Sequence, residues 1–478
     1  MNVMTDSIAT VGLFDRTRTV LRRAFADVME VTGVRRNGTL RPDLPEDDLE
    51  RLRQKIDICL AARGGEVTAR ANAAELARSY LDLNREGRRR FFGLLADAYG
   101  VDRAALDGAL AAVPATADRP SLDRAIQRLR EILEPPRLKL FCKFNGLENG
   151  IKFLVDLRAD LLDLTADAPA LRPVERELRD LMASWFDVGF LDLRRIEWQS
   201  PAALLEKLIA YEAVHEIRSW DDLKNRLESD RRCYAFMHPS LPDEPLIFVE
   251  VALVHGIAGS IQTLLDERAP TGDPHDADTA IFYSISNAQR GLAGVSFGSF
   301  LIKQVVDDLS HDFPRLRTFA TLSPIPGFHA WLAEREGAGE TLLEPSEANA
   351  VAEATTGEDG EAAETVTLAP LLDRGDWPRD PLLAGALQAP LLRLGAEYLL
   401  NARLGEKRAR DPVAHFHLSN GARVERLNWL ADRSPRGMKQ SAGLMVNYLY
   451  RLDQIAENHE TYASSGEVPA SSTVRNLL

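Results

Sequence analysis

Near residue 190 the hydrophobic pattern of this 478-residue chain changes period, and that change constrains the fold more than any other feature. Before it, apolar residues recur at helical spacing: Val20, Leu21, Ala24, Phe25, Val28 and Met29 line one stripe within 14–31. A segment over 45–61 opens on Glu46, Asp47, Asp48 and Glu50, the charge order a helix dipole favours at its start. Further helices are predicted over 69–84, 88–99, 121–134, 151–164 and 173–186. Ser121 would cap one, and Pro135-Pro136 would follow its end. After the change, apolar and β-branched runs mark strands at 233–237, 246–254, 279–285 and 317–322, with a glycine-containing loop and a helix over 299–309 among them. An all-α helical bundle over 1–188, followed by an α/β domain over 189–478, is the architecture this pattern predicts.

Charge and cysteine content narrow the function classes. The formal charge is −14, which argues against a nucleic-acid binder. Ten acids and one base fall between Glu334 and Glu364, so −9 of that charge sits in one stretch. The stretch over about 337–366 is poor in large apolar residues and is expected to be a solvated or disordered acidic insertion. Three cysteines, with no C-x-x-C pair, fit a reducing compartment rather than a disulfide scaffold. The most apolar run, 246–258, is interrupted by Glu250 and His255 and is too short to span a bilayer, so no membrane partner is expected. Residues 1–10 lack a basic segment and an apolar core, and the chain ends Arg475-Asn476-Leu477-Leu478 rather than on a peroxisomal Ser-Lys-Leu. A cytoplasmic location is the expectation.

Three segments carry residues suited to chemistry. The loop Ala293, Gly294, Val295, Ser296, Phe297, Gly298, Ser299 leaves a strand and opens a helix, where free backbone N–H groups attract an anion such as the coenzyme A pyrophosphate. Its best register against the acetyltransferase (GNAT) loop Q/R-x-x-G-x-G/A matches at Gly298; glycines that only let the chain turn are the plain alternative. Ser323, in Leu322-Ser-Pro-Ile-Pro-Gly-Phe328, ends a strand on a proline-stiffened backbone, which suits a side chain aimed at a ligand and equally a turn-capping serine. In 411–421, His415 and His417 stand two apart, on one face if the segment is a strand. A general acid, a packed histidine and a metal ligand are the options there; no third metal ligand is visible, and none is expected. Gly294-Val-Ser-Phe-Gly298 spells a hydrolase elbow, but it lies in the phosphate-type loop without an ordered acid and histidine.

Phe282-Tyr-Ser-Ile-Ser286, Leu322 to Phe328, Phe416-His-Leu-Ser-Asn-Gly421 and Gly443-Leu-Met-Val-Asn-Tyr448, in this order and spacing, resemble the malonyl-CoA decarboxylase family. The resemblance is dense over 233–328 and 411–460 and thinner in the helical half, around Leu140 to Asn145 and Gly150 to Leu157. It implies a helical domain that associates into dimers or tetramers and a GNAT-like catalytic domain. It also implies catalytic roles for Ser323, His417 and Tyr450, and a coenzyme A loop at Ala293 to Ser299. Animal members carry a glutamate where this chain has Ser296, so a role resting on that carboxylate does not transfer.

The expected activity is conversion of malonyl-CoA to acetyl-CoA and carbon dioxide through a thioester enolate protonated at C2. The thioester is its own electron sink, so no cofactor is expected beyond the substrate. The alternatives are a GNAT-type N-acyltransferase, which needs an amine acceptor, and an inactive acyl-CoA sensor on an oligomerising helical module.

Overall fold

Helices in the first half begin where a short polar side chain can accept from the first free N–H groups. Asn84 accepts from Gly87 N at 3.0 Å, Asp102 from Ala105 N at 3.0 Å, and Asp118 from Ser121 N at 3.2 Å. The cap before Pro120 is thus Asp118, three residues ahead of the serine that the sequence suggested. The computed structural model describes residues 17–28, 39–61, 65–113, 118–186, 189, 191–241, 243–295, 300–355 and 367–478. Residues 17–28 are helical (α1). They are followed by α2 (Glu46–Ala61), α3 (Glu66–Leu81), α4 (Arg85–Ala98), α5 (Arg103–Ala111), α6 (Arg119–Leu133), α7 (Pro136–Asn145), α8 (Gly150–Thr165) and α9 (Arg172–Trp185).

These helices belong to the first of two compact units, made of the described residues of Met1–Asp192 together with Met237–Leu246 and Asn287–Ser296. Its centre is aromatic. Phe153 meets Phe25, Tyr80 and Phe144 edge-on, at centroid distances of 5.5, 5.8 and 5.2 Å, and Tyr80 meets Phe91 and Phe92 in the same way. Each such pair adds about 0.5–1.5 kcal/mol beyond area burial.

The second unit takes Leu193–Phe236, Ile247–Ser286 and the described residues of Phe297–Leu478. An eight-stranded mixed sheet organises it. Its strands are β1 (Asp192–Ile196), β2 (Arg231–Met237), β3 (Ile247–Val254), β4 (Thr279–Asn287), β5 (Thr318–Thr321) and β6 (Ser323–Pro324). After a separate small hairpin, β7 (Arg403–Leu404) and β8 (Arg408–Ala409), come β9 (Arg423–Asn428) and β10 (Met445–Leu449). The order is β1-β2-β3-β4-β5-β10-β6, with β9 also on β10. β4 and β5 run parallel, paired from Thr279↔Thr318 to Phe282↔Thr321, and β10 is antiparallel to β5, β6 and β9. Every residue of β2 is buried, and so are all but the last of β3, which is why 233–237 reads as a continuous apolar run and β3 as one interrupted only by Glu250. Helical architecture followed by a mixed sheet is as the sequence predicts.

The acidic stretch departs from expectation. Instead of solvated coil, Pro345–Thr355 is helical, with Val351 buried. Arg393, on the long helix Pro381–Asn401, closes on Glu347 with a 2.6 Å contact and donates to Leu342 O at 2.8 Å. A bidentate arginine fork and one buried valine hold a segment whose composition looks solvent-bound. Residues 356–366 of the insertion lie outside the described residues.

Glu250 is wholly buried in β3, and Arg226 donates to it at 3.1 Å. Burial, with Glu212 adding repulsion, pushes its carboxyl up to about 8. A raised carboxyl pKa contributes stability that is fully present below the unfolded value and lost as pH rises through the folded one. Glu250→Gln is therefore expected to gain stability relative to the parent between pH 5 and pH 8.5. Urea unfolding at both pH values checks this, and a constant difference would place the charge elsewhere.

Candidate active site

Ser323 sits two residues beyond the end of β5. It opens β6, where it lies opposite Val446 of β10, and Pro324 lies opposite Met445. Pro324 and Pro326 fix φ on either side of Ile325, so the backbone that carries the serine has few alternatives. The side chain is buried.

The segment bearing the histidines is a helix, not the strand that the two-residue spacing suggested. Asp411 caps it: its Oδ1 accepts from Val413 N at 2.9 Å and Ala414 N at 2.8 Å, Pro412 fills the first turn, and Pro412–Ser419 follows as helix. Two positions apart on a helix diverge by about 200°, so His415 and His417 go to different places. His415 Nδ1 meets Tyr462 OH at 2.9 Å. His417 reaches Ser323: its Nε2 is 3.2 Å from Ser323 Oγ, and its Nδ1 is 2.7 Å from Tyr450 OH. Among the described residues no cluster of three or more His, Cys, Asp and Glu is placed to hold a metal ion.

Tyr450 follows β10 directly, and its N–H donates to Phe319 O at 2.9 Å, which locks it beside β5. Tyr448, two residues earlier, lays its ring on the imidazole, with centroids 4.5 Å apart and planes 25° from parallel. Burial pulls the His417 pKa down to about 3 and raises both phenols. At neutral pH the site is a neutral imidazole between two neutral hydroxyls. A hydrolase triad would put a carboxylate on Nδ1 to stabilise an imidazolium; a phenol cannot do this. Asp411, at the foot of the same helix, is itself pushed up to about 6 by burial.

The glycine-containing loop is held in the first unit. Gly291 lies against α8, where a Cβ would stand 1.8 Å from Val155 O, so no other residue fits without displacement. Arg158 of α8 donates to Gly291 O at 2.6 Å and Ala293 O at 2.8 Å, with Glu175 accepting on its other side at 2.6 Å. Gly294 takes φ +75°, and Ala293 and Gly294 are exposed while Val295 is buried. The rest of the expected loop, Ser296, Phe297, Gly298 and Ser299, lies outside the described residues.

Residues 189–478 match the family model described as malonyl-CoA decarboxylase C-terminal domain. The chain belongs to the malonyl-CoA decarboxylase family. The family's N-terminal domain model matches residues 99–186. Mitochondrial malonyl-CoA decarboxylase of the goose Anser anser anser is 41% identical over 430 residues, covering 86% of this chain and 84% of the goose protein. The rat enzyme is 40% identical over 410 residues, 82% of each. A crystal structure of malonyl-CoA decarboxylase from Rhodopseudomonas palustris is 44% identical and superposes with a TM-score of 0.81 over 90% of this chain and 99% of that one. That from Agrobacterium vitis is 43% identical, with a TM-score of 0.79.

Within this malonyl-CoA decarboxylase fold, the three residues predicted as catalytic come together, and His415 does not join them. Sequence reasoning passed over Tyr448, Thr321 and Arg158. Tyr448 had a signal in period-two alternation, which puts Val446, Tyr448 and Tyr450 on one side of the strand. Arg158 had one as a cation, like Lys152, set among the apolar residues of α8. Thr321 had none, because its role depends on which hydroxyl folds beside it.

Proposed function

We propose that this chain decarboxylates malonyl-CoA to acetyl-CoA and carbon dioxide, using Ser323, His417 and Tyr450. The observation that carries this is the continuous buried line Ser323–His417–Tyr450 in a chain of this family. As the C2–carboxylate bond breaks, its electron pair passes through C2 into the thioester carbonyl, carbon dioxide leaves, and an enolate remains. The protein has to turn the carboxylate out of the thioester plane and return a proton to C2. Ser323 hydrogen-bonds the carboxylate. His417 supplies the proton as a neutral imidazole; a thioester enolate is more basic than the imidazole anion, so no imidazolium is required. Only the tautomer protonated at Nε2, the nitrogen beside Ser323, can give a proton on that side. As it leaves, Nδ1 takes the Tyr450 proton; when solvent returns a proton to Nε2, Nδ1 gives its own back to the phenolate, which restores the starting tautomer and accounts for the one proton consumed. Neither a metal nor an organic cofactor enters this scheme.

The exposed Ala293–Gly294 turn and the loop after it are assigned to coenzyme A. Its strand–loop–helix–strand setting, with β4 parallel to β5, supports the GNAT-like comparison. Residence in a reducing compartment and self-association as a dimer or tetramer belong to the same proposal. Cys59 and Cys233 are unpaired and buried, with thiol pKa values raised by that burial. Among the described residues no helix is long and apolar enough to cross a membrane.

Release of labelled carbon dioxide from carboxyl-labelled malonyl-CoA, with no amine present, tests the activity. Acyl transfer to an added amine without carbon dioxide release would favour the N-acyltransferase. Tight coenzyme A binding with neither reaction would favour a sensor.

A further inference from the structure

Ser323 has a second hydroxyl neighbour. Its Oγ donates to Thr321 Oγ1 at 2.8 Å. Thr321 is fully buried and heavily constrained. The N–H of Tyr448, which can only donate, fills one lone pair of Thr321 Oγ1 at 3.1 Å. The Thr321 carbonyl accepts from Asn447 Nδ2 at 2.6 Å. Asn447 is anchored in turn: its Oδ1 accepts from Asn428 Nδ2 at 2.8 Å and Arg426 Nε at 3.2 Å, and its Nδ2 also reaches Ala258 O at 3.0 Å. Thr321 is thus held from both its backbone and its side chain.

A hydroxyl has one proton. With the Ser323 proton directed to Thr321, Ser323 Oγ can only accept from His417. The neutral imidazole must then carry its hydrogen on Nε2, and Nδ1 is left to accept from Tyr450 OH. The order also suits the groups involved. A phenol is the most acidic hydroxyl present and an imidazole nitrogen the best acceptor, so donation from Tyr450 to Nδ1 is the stronger choice; a phenol oxygen, with its lone pair delocalised into the ring, accepts poorly. We propose that Thr321 is a positioning residue that orients the Ser323 proton and, through it, holds His417 in the Nε2-protonated tautomer. Thr321 touches no substrate in this scheme. Its function is to keep the histidine hydrogen on the nitrogen that faces Ser323, and a carboxylate arriving at Ser323 takes over as acceptor of the serine proton.

The test reads the tautomer directly. Protein labelled with ¹⁵N at histidine, with the His417 signals assigned by loss in His417→Asn, is expected to show a protonated Nε2 and an unprotonated Nδ1 at pH 7.5. In Thr321→Val the serine proton loses its acceptor, and the His417 signals should move toward the Nδ1-protonated form. In Thr321→Ser, which keeps the hydroxyl, they should stay near the parent values. This arm needs no substrate and stands whether or not the chain is a decarboxylase. The kinetic arm rests on the decarboxylase reading. There Thr321→Val should lower kcat roughly 10- to 100-fold, the usual cost of losing an orienting partner behind a functional side chain, with KM within about threefold and recovery in Thr321→Ser. An Nδ1-protonated His417 in the parent protein would overturn the proposal. So would a Thr321→Val variant that folds, as judged by its circular dichroism, and keeps the parent tautomer; if that variant does not fold, the parent and Thr321→Ser spectra decide.

Discussion

His417→Asn is expected to lower kcat for malonyl-CoA by about 10³-fold or more, near the upper end of what one proton-transferring side chain contributes. Substrate should still bind. His415→Asn should stay within a few-fold of the parent. The contrast follows from helix geometry: two histidines with the same local sequence environment part by more than half a turn, one toward Ser323 and the other toward Tyr462. Asparagine can keep one hydrogen bond at the position of a ring nitrogen but cannot pass a proton between Tyr450 and the enolate. Because burial holds the imidazole pKa near 3, kcat/KM should show no acidic limb near pH 6.5 from this residue in the free protein. Steady-state kinetics of both variants from pH 5.5 to 8.5 check all three statements. Equal losses for the two histidines would point to a structural pair, and a limb near pH 6.5 that disappears in His417→Asn would show that the working acid is the imidazolium.

Sequence periodicity carries far in this protein, and it fails where local chemistry competes with it. The buried strands β2 and β3 are legible because both faces are covered, so every residue is apolar or paired. Ser323 is legible because two prolines, Pro324 and Pro326, stiffen the backbone just after it. The histidine segment misleads because a helix of eight residues shows barely two turns of pattern, too few to override a period-two spacing, while the signal that decides it, Asp-Pro at the cap, spans only two residues. The insertion misleads for a different reason: Pro345–Thr355 buries only Val351 and depends on Arg393, distant in sequence, for its place. Composition sees the alanines and glutamates and cannot see the partner. Thr321 and Asn447 lie at the same limit. They are ordinary strand residues until β5, β10 and the Ile257–Ala258 backbone meet around them.

Ser323→Ala and Gly291→Ala should fail in opposite ways. Loss of the Ser323 hydroxyl removes a donor at the reacting carboxylate and leaves His417 Nε2 without its acceptor. The expected result is a fall of about 10²–10³-fold in kcat, the usual cost of one such donor, with a modest change in KM and no change in affinity for unacylated coenzyme A. Gly291→Ala changes the packing of the loop on α8 and removes no group assigned to the reaction. Its new Cβ would stand 1.8 Å from Val155 O, a backbone atom that cannot swing aside, so the turn at 290–292 must lift from α8 and break the Arg158 contacts to Gly291 O and Ala293 O. A loop displaced in this way loses the fixed array of N–H groups that an anion needs. Affinity for coenzyme A should drop at least about tenfold, while kcat at saturating malonyl-CoA stays within a few-fold of the parent. Calorimetry with coenzyme A and kinetics with malonyl-CoA, run on both variants, separate the two ends. If Ser323→Ala abolished coenzyme A binding while Gly291→Ala left it untouched, the loop would not be the coenzyme site, and Ser323 would be a binding residue rather than a partner in the reaction.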